Sequence, residues 1–273
     1  MPEGKLIFIG LGLNDERDIS LKGLEEIKNC DKVYAEFYTA KLVGTDVSSI
    51  ENTIGKSIEI LSREETEKGD LILERASRES VVFLTCGDPM VATTHVDLRL
   101  RALTKGIKTW IVHSSSIFTA VPGLLGLQHY KFGRTTTLAF REKDYFPTSP
   151  YKVIKVNKKM GLHSLVLLDI QSEKNKIMTA NEGIELLLEM EKESEEHVFT
   201  ERSIVCVVAR AGSPSPTIMA DRVGNLKEKD FGAPLHTLVV PGNLHFIEIE
   251  ALIKFAGLPI EVSKNYKNYN YEK

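Results

Sequence analysis

Gly10 and Gly12 close an apolar run in "LIFIGLGLNDERDIS" (6–20), the layout of a strand that ends in a nucleotide-holding turn. The third glycine of a G-x-G-x-x-G fingerprint falls at position 15, where Asp15 stands instead. A carboxylate there would repel a pyrophosphate resting on a helix N-terminus, so the stretch either receives a ligand without a pyrophosphate or is only a tight turn. The most heavily furnished segment is "TCGDPMVATTH" (85–95). Gly87 lets backbone approach closely, Asp88 supplies a carboxylate, Pro89 fixes the turn, and Val91, Thr93 and Thr94 open a helix. Read alone, the segment is equally an Asp-Pro turn capping that helix. Glu36 ends a strand ~20 residues after Gly12, the place of the ribose-holding acid in a dinucleotide fold. The missing glycine weakens that reading and leaves Glu36 as a structural or substrate-side polar group.

The seven histidines form no H-x-x-x-H pair and the cysteines no C-x-x-C, so no metal set is expected. His95 falls on a helix, His113 ends a strand and His163 begins one, while His236 and His245 flank the last strand. His236 stands out, because "APLHTLVVPG" sets it beside that strand with Gly242 beyond. "RAGSPSPTI" (210–218) is the wall of a cleft or a plain surface turn. No Ser–His–Asp order is assignable.

These residues need a scaffold, and the first half provides one. Apolar runs at 5–10, 32–37, 57–62, 81–87 and 108–113 alternate with helical patterns at 20–30, 45–55, 63–77 and 91–106, which implies βαβ units and a parallel sheet. Such a sheet carries Gly10–Leu13, Gly87–Val91 and Ser114–Ile117 to one edge, where ligands of open α/β sheets bind. Ser20 is the expected cap of the first helix and Gly106 the stop of the fourth. Pro122 must bend or end the helix begun at 115. After Gly126 the style changes: strands at 131–140, 163–170, 203–212, 217–226 and 236–242 join helices at about 150–160, 179–193 and 243–257, implying a mixed or antiparallel sheet. The expected organisation is a mainly parallel α/β domain over 1–128, a mixed-sheet α/β domain over 129–262, and a low-complexity, disordered tail over 263–273.

Apolar residues make up 42% of the 273 and charged residues 27%, a globular balance, and a net charge of −3 gives no overall attraction to nucleic acid or an anionic membrane. No apolar stretch reaches the ~18 residues of a membrane span, and "MPEGK" leads into a strand without signal-peptide pattern. Cys30, Cys86 and Cys206 are too scattered for disulfides or metal, and read as buried thiols of a cytoplasmic protein.

Taken together, "FIGLGLNDERDIS", "AEFYTA", "FLTCGDPMVATTH", "GLHSLVLLDI", "MTANEGIELLLEME", "VVARAGSPSPTI" and "PLHTLVVPGNLHFIE" resemble the diphthine synthase family, in order over about residues 5–260. "LLDIQSEKNKIMTANE" lacks the insertion of eukaryotic members, so the likeness is to the archaeal type. The resemblance implies a tetrapyrrole-methylase-like fold of two α/β domains, a homodimer, and S-adenosylmethionine in the cleft between the domains. It places cofactor contacts at Leu13, Asp88, Val91, Ser116, Ile117, Leu168, Ala211 and His236, and it brings no catalytic base and no metal. Cys86 and the Ser114–Ser115 pair depart from the family pattern without removing a polar contact. The implied acceptor is a 3-amino-3-carboxypropyl-histidine on elongation factor 2, methylated repeatedly at its amino nitrogen. S-adenosylmethionine has no pyrophosphate, which makes Asp15 tolerable, and its sulfonium cation is drawn to carboxylates. The rival readings are a precorrin-type tetrapyrrole methyltransferase, an NAD-dependent oxidoreductase resting on Gly10, Gly12 and Glu36, and a scaffold without activity.

Overall fold

The computed structural model describes residues 4–142 and 146–267. The chain divides into two compact units, one running to Ile117 together with Ser172–Lys174, the other holding the remainder. In the first, β1 (Lys5–Gly10), α1 (Leu21–Lys28), β2 (Lys32–Glu36), α2 (Val47–Ile54), β3 (Glu59–Ile60), α3 (Arg63–Lys68), α4 (Asp70–Ala76), β4 (Ser80–Thr85), α5 (His95–Thr104) and β5 (Lys108–Val112) follow one another. The sheet is wholly parallel, in the order β3-β2-β4-β1-β5.

The central strands are apolar on both faces because helices cover both. Alternate side chains divide between them: Ile7, Ile9, Val82 and Leu84 face Ile27 of α1 with Ile50 and Ile54 of α2, while Leu6, Phe8, Val81 and Phe83 face Ile72 of α4 and Leu98 of α5. Ser20 caps α1 by accepting from the Gly23 amide at 3.0 Å. Three expectations change. β3 is two exposed edge residues, not six. The 63–77 pattern breaks at Gly69, whose φ of +66° ends α3, and a Cβ there would lie 2.6 Å from Leu98 Cδ1. Val91, Thr93 and Thr94 precede α5 rather than open it, since Ala92 holds a left-handed φ of +57° that no α-helix admits.

The second unit contains α6 (Ile117–Leu125, all but its first residue), β6 (Thr136–Leu138), α7 (Ser149–Lys159), β7 (Ser164–Leu168), β8 (Ile170–Gln171), β9 (Lys176–Ile177), α8 (Ala180–Ser194), β10 (Ile204–Ala209), β11 (Thr217–Arg222), α9 (Val223–Leu226), β12 (His236–Val240), α10 (Phe246–Ala256) and α11 (Ile260–Lys267). Its main sheet runs β11-β10-β12-β7-β6, antiparallel except between β6 and β7. The reading from sequence gave α6 to the first domain. It goes with the second because Gly126, at φ +68°, packs so closely on α10 that a Cβ would lie 2.5 Å from Ala251 Cβ. Pro122 neither ends nor interrupts α6, which runs three residues further. The β8–β9 hairpin was not foreseen, and 217–226 divides into β11 and α9. α11 occupies the start of the stretch expected to be disordered, with Ser263 fully buried, while 268–273 of that stretch and 143–145 of the loop after β6 lie outside the described residues. Cys30 and Cys206 are buried free thiols, whereas Cys86 is only half-buried.

One ionic knot ties this unit together. Glu248 on α10 has no exposed surface and accepts from Lys131 Nζ (2.5 Å), His163 Nε2 (3.0 Å) and the amides of Gln128 (2.9 Å) and His245 (2.8 Å). His163 is fixed as the Nε2–H tautomer, since its Nδ1 accepts from the Gly242 amide at 3.0 Å.

Candidate functional site

At the carboxyl edge of the parallel sheet three loops are bonded into one surface. The Leu11 amide donates to Thr85 O (2.8 Å), and Gly12 and Gly87 exchange N–H···O bonds of 3.3 and 2.7 Å. Asp18 gathers the loop after β1 by accepting from the amides of Leu13 (3.0 Å) and Asn14 (2.8 Å). Asp88 Oδ1 accepts from the Met90 amide (3.0 Å), and its Oδ2 from His113 Nδ1–H (2.7 Å) and the Ser114 amide (3.3 Å). Ser114 Oγ closes the ring by donating to Asp18 O at 3.4 Å. Leu13, Asp88, Val91, Ser116 and Ile117 thus share one edge, with Asp88 and Ser116 buried and Val91 exposed.

Two glycines make this junction possible. A Cβ on Gly10 would stand 2.3 Å from Gly87 O and 2.7 Å from Ser114 Cβ. Gly87, at φ +70°, has nothing within 4 Å of where its Cβ would be, so bare main chain faces open space there. Asp15 is now explained: it caps the turn Glu16–Asp18 and pairs with the Arg17 guanidinium at 2.6 Å. The Arg17 bond, outweighing burial, holds its carboxyl down to about 2. It acts as a local brace, and a phosphate is not invited.

In the second unit the register brings Leu168, Ala211 and His236 to one sheet end. Ala209 pairs with His236 across β10–β12, and Thr237 with Leu167 across β12–β7. The His236 ring is spent inside the unit: Nδ1 accepts from the Ala180 amide at the start of α8 (3.0 Å), and Nε2–H donates to Gly232 O and Ala233 O (3.1 Å each). Burial lowers its pKa, consistent with a neutral ring. His236 therefore has main chain, not ring nitrogens, to offer a ligand. Arg210, next to Ala211, holds a left-handed φ of +54°, and its guanidinium donates to Phe231 O (2.8 Å), Ala233 O (2.6 Å) and Thr217 Oγ1 (2.6 Å).

Glu36 is 1% exposed. It accepts from the Thr85 hydroxyl (2.6 Å) and from the amides of Tyr38 (3.1 Å) and Thr39 (3.0 Å). His95 Nε2 lies 3.8 Å from its Oε1. Asp18, His113 and Thr85 escaped the sequence reading as site residues; their partners are distant in the chain or are backbone amides, and no local pattern marks them. Among the described residues no group of three His, Cys, Asp or Glu is arranged for a metal, and no helix is long and apolar enough to cross a membrane.

Residues 5–227 match the family model described as tetrapyrrole (corrin/porphyrin) methylases. The chain is 52% identical over 254 residues to the diphthine synthase of Methanothermobacter thermautotrophicus, covering 93% of this chain and 96% of that protein. It is 49% identical over 261 residues to the diphthine synthase of Methanosphaera stadtmanae, covering 96% and 99%. A crystal structure of a diphthine synthase superposes with a TM-score of 0.87 at 41% identity, covering 95% of this chain and 98% of the other.

Proposed function

Because the chain belongs to the tetrapyrrole methylases and, within them, to the diphthine synthases, we propose that its methyl acceptor is the amino group of a 3-amino-3-carboxypropyl-histidine on elongation factor 2. The family's methyl donor is S-adenosylmethionine, and its place is diphthamide biosynthesis. We assign the donor's contacts to Leu13, Asp88, Val91, Ser116 and Ile117 of the first unit, and to Leu168, Ala211 and His236 of the second. The observation that supports this most is the open main chain at Gly87, flanked by a buried carboxylate. A nucleoside ligand that carries a sulfonium and no phosphate fits such a surface, whereas a dinucleotide would want the glycine that Asp15 replaces.

Bound S-adenosylmethionine supplies a methyl group already activated on a sulfonium. The chain's own task is then to orient and to exclude water. Asp88 holds the turn through Met90 and Ser114, and its carboxylate would offset the positive charge of a sulfonium held there. An α-amino group of reference pKa about 7.7–8.0 is partly neutral near pH 7, so alignment in a desolvated site suffices and no residue is named as a base. The same reading makes the protein a cytoplasmic homodimer.

The test is direct. Purified protein is titrated calorimetrically with S-adenosylmethionine and with NADH, then incubated with S-adenosylmethionine and elongation factor 2 carrying the unmethylated side chain. Mass spectrometry should find methylated factor. Affinity for NADH alone, or transfer to a precorrin-type tetrapyrrole with none to the factor, overturns the assignment.

A further inference from the structure

His113, the residue after β5, stands at the edge that Leu13, Asp88, Val91, Ser116 and Ile117 share. Its Nδ1–H donates to Asp88 Oδ2 at 2.7 Å, and its Nε2 has no partner among the described residues. The His113 side chain is 69% exposed and that of Asp88 only 7%, so the ring is anchored at one nitrogen and open to solvent at the other. A carboxylate can only accept, which keeps a proton on Nδ1 and, in the neutral ring, leaves the lone pair on Nε2. The same carboxylate steadies the imidazolium that forms when Nε2 takes a second proton.

The other ionisable groups around this edge are committed elsewhere. Asp18 is held by the Leu13 and Asn14 amides, Asp15 by Arg17, and Glu36 is buried on the Thr85 hydroxyl and the amides of Tyr38 and Thr39. Arg99 of α5 is tied to Thr109 Oγ1 at 3.1 Å. His95 has an unpartnered Nε2 as well, but at 1% exposure, with Nδ1 on Pro89 O (3.1 Å), it has no outlet to water. Asp88 is the one member of this set that bonds to His113. A buried carboxylate, an imidazole and solvent thus form a line that can carry a proton outward from the Asp88 turn.

We propose that His113 Nε2 relays to water the proton that the acceptor's amino group must lose before each methyl transfer. The proposal rests on the reading of the function given above. At neutral pH most such amines are ammonium ions, which have no lone pair to offer a methyl group. The ammonium gives one proton to Nε2, and the imidazolium passes it to water. The nitrogen lone pair then forms the N–C bond as the S–C bond breaks, and the electron pair of the broken bond stays on sulfur. Positive charge thereby moves from sulfonium to nitrogen, leaving a neutral thioether and an ammonium with one methyl in place of the lost proton. The cycle repeats on each methylammonium and stops at the trimethylammonium, which has no proton left to give. The relay precedes the transfer, which itself still proceeds by alignment.

The test follows the loss of unmethylated factor in a single turnover, with enzyme and S-adenosylmethionine in excess over elongation factor 2 carrying the side chain. Wild type is compared with His113→Asn, whose amide can still donate to Asp88 but cannot take up a proton. In wild type, exchange through the relay should make the course one exponential at pH 7 and at pH 9. In the variant a bound ammonium is stranded, so at pH 7 only complexes formed with a neutral amine react promptly. With a reference pKa of about 7.7–8.0 these are about 10–15% of the factor, and the remainder should follow in a slow phase. At pH 9 the prompt share should rise to about 90–95%. S-adenosylmethionine affinity, measured by calorimetry, should stay within about twofold of wild type. A single phase in the variant at pH 7, or a split that is the same at pH 9, overturns the relay. Lost cofactor affinity also overturns it, because His113 would then be only a support of the Asp88 turn. A wild-type protein that binds S-adenosylmethionine yet methylates no factor refutes the reading of the function itself, and the relay with it.

Discussion

Replacing Glu248 by glutamine should change not only stability but its dependence on pH. Burial by itself would raise this carboxyl, but bonds from His163, Lys131 and the His245 and Gln128 amides prevail and bring it from 4.5 down to about 2. A folded pKa below the unfolded one means stabilisation that is complete above about pH 5 and is lost as pH falls toward 2. The difference of about 2.5 units corresponds to about 3 kcal/mol, of which about 2 kcal/mol has gone by pH 3. In Glu248→Gln the amide turns an N–H toward groups that themselves donate, and the buried Lys131 and His163 contacts lose their anion. The cost at pH 7 should be about 3–5 kcal/mol. Urea unfolding of both proteins at pH 7 and pH 3 measures the gap twice. The gap should narrow by about 2 kcal/mol at the lower pH, because only the wild type loses this contribution there. An equal gap at both pH values would refute the claim that the ionised carboxylate, rather than its shape, holds α10 in place.

Other outcomes concern the site and the assembly. Asp88→Ala should weaken S-adenosylmethionine binding by about 1–3 kcal/mol in titration calorimetry; unchanged affinity would remove Asp88 from the site. Single-turnover methylation should rise toward about pH 8 and then level off as the acceptor amine loses its proton. No single Asp, Glu or His substitution that spares cofactor binding should cost the 10²–10⁴-fold typical of a lost base, and a thousandfold loss of that kind at one residue would end the alignment-only account. Light scattering at micromolar concentration should give twice the chain mass, and a value near 30.5 kDa would exclude the dimer.

Much of the first unit could be read from local pattern because its central strands are buried on both faces, so "LIFI" and "VVFL" are unbroken apolar runs. The carboxyl edge was visible for the same reason: glycines and an Asp-Pro step stand where those runs end. Elsewhere the decisive forces are not local. "SIEILS" alternates like a strand, but only Glu59 and Ile60 pair, since nothing lies beyond them at the sheet edge. Gly69 sits in a helical pattern that would tolerate it, yet it caps α3 in the left-handed region with its N–H on Glu65 O, and close packing on Leu98 leaves no room for a Cβ. Alanine is a strong helix former, so nothing at position 92 announces a left-handed residue. The partner of Asp88 is 25 positions away at His113, and such pairings exist only once the sheet has assembled. "VSKNYK" looks like a polar tail, yet Val262 and Ser263 are buried and anchor α11.

Ala92 and Arg210 share a left-handed backbone, one beside each group of residues assigned to the cofactor, but they face opposite prospects under sequence drift. At 92 the side chain is an exposed methyl. Glycine there relieves about 1 kcal/mol of steric strain and gives up a similar amount through the freer unfolded chain. Position 92 can therefore wander among small residues with little consequence for folding. At 210 the same glycine would relieve the backbone and abandon three guanidinium bonds that fasten the 231–233 loop and β11. Lysine cannot stand in, because a single ammonium does not reproduce the planar fork. A saturation library should accordingly find one of the two strained positions permissive and the other closed, although their dihedral angles are nearly the same.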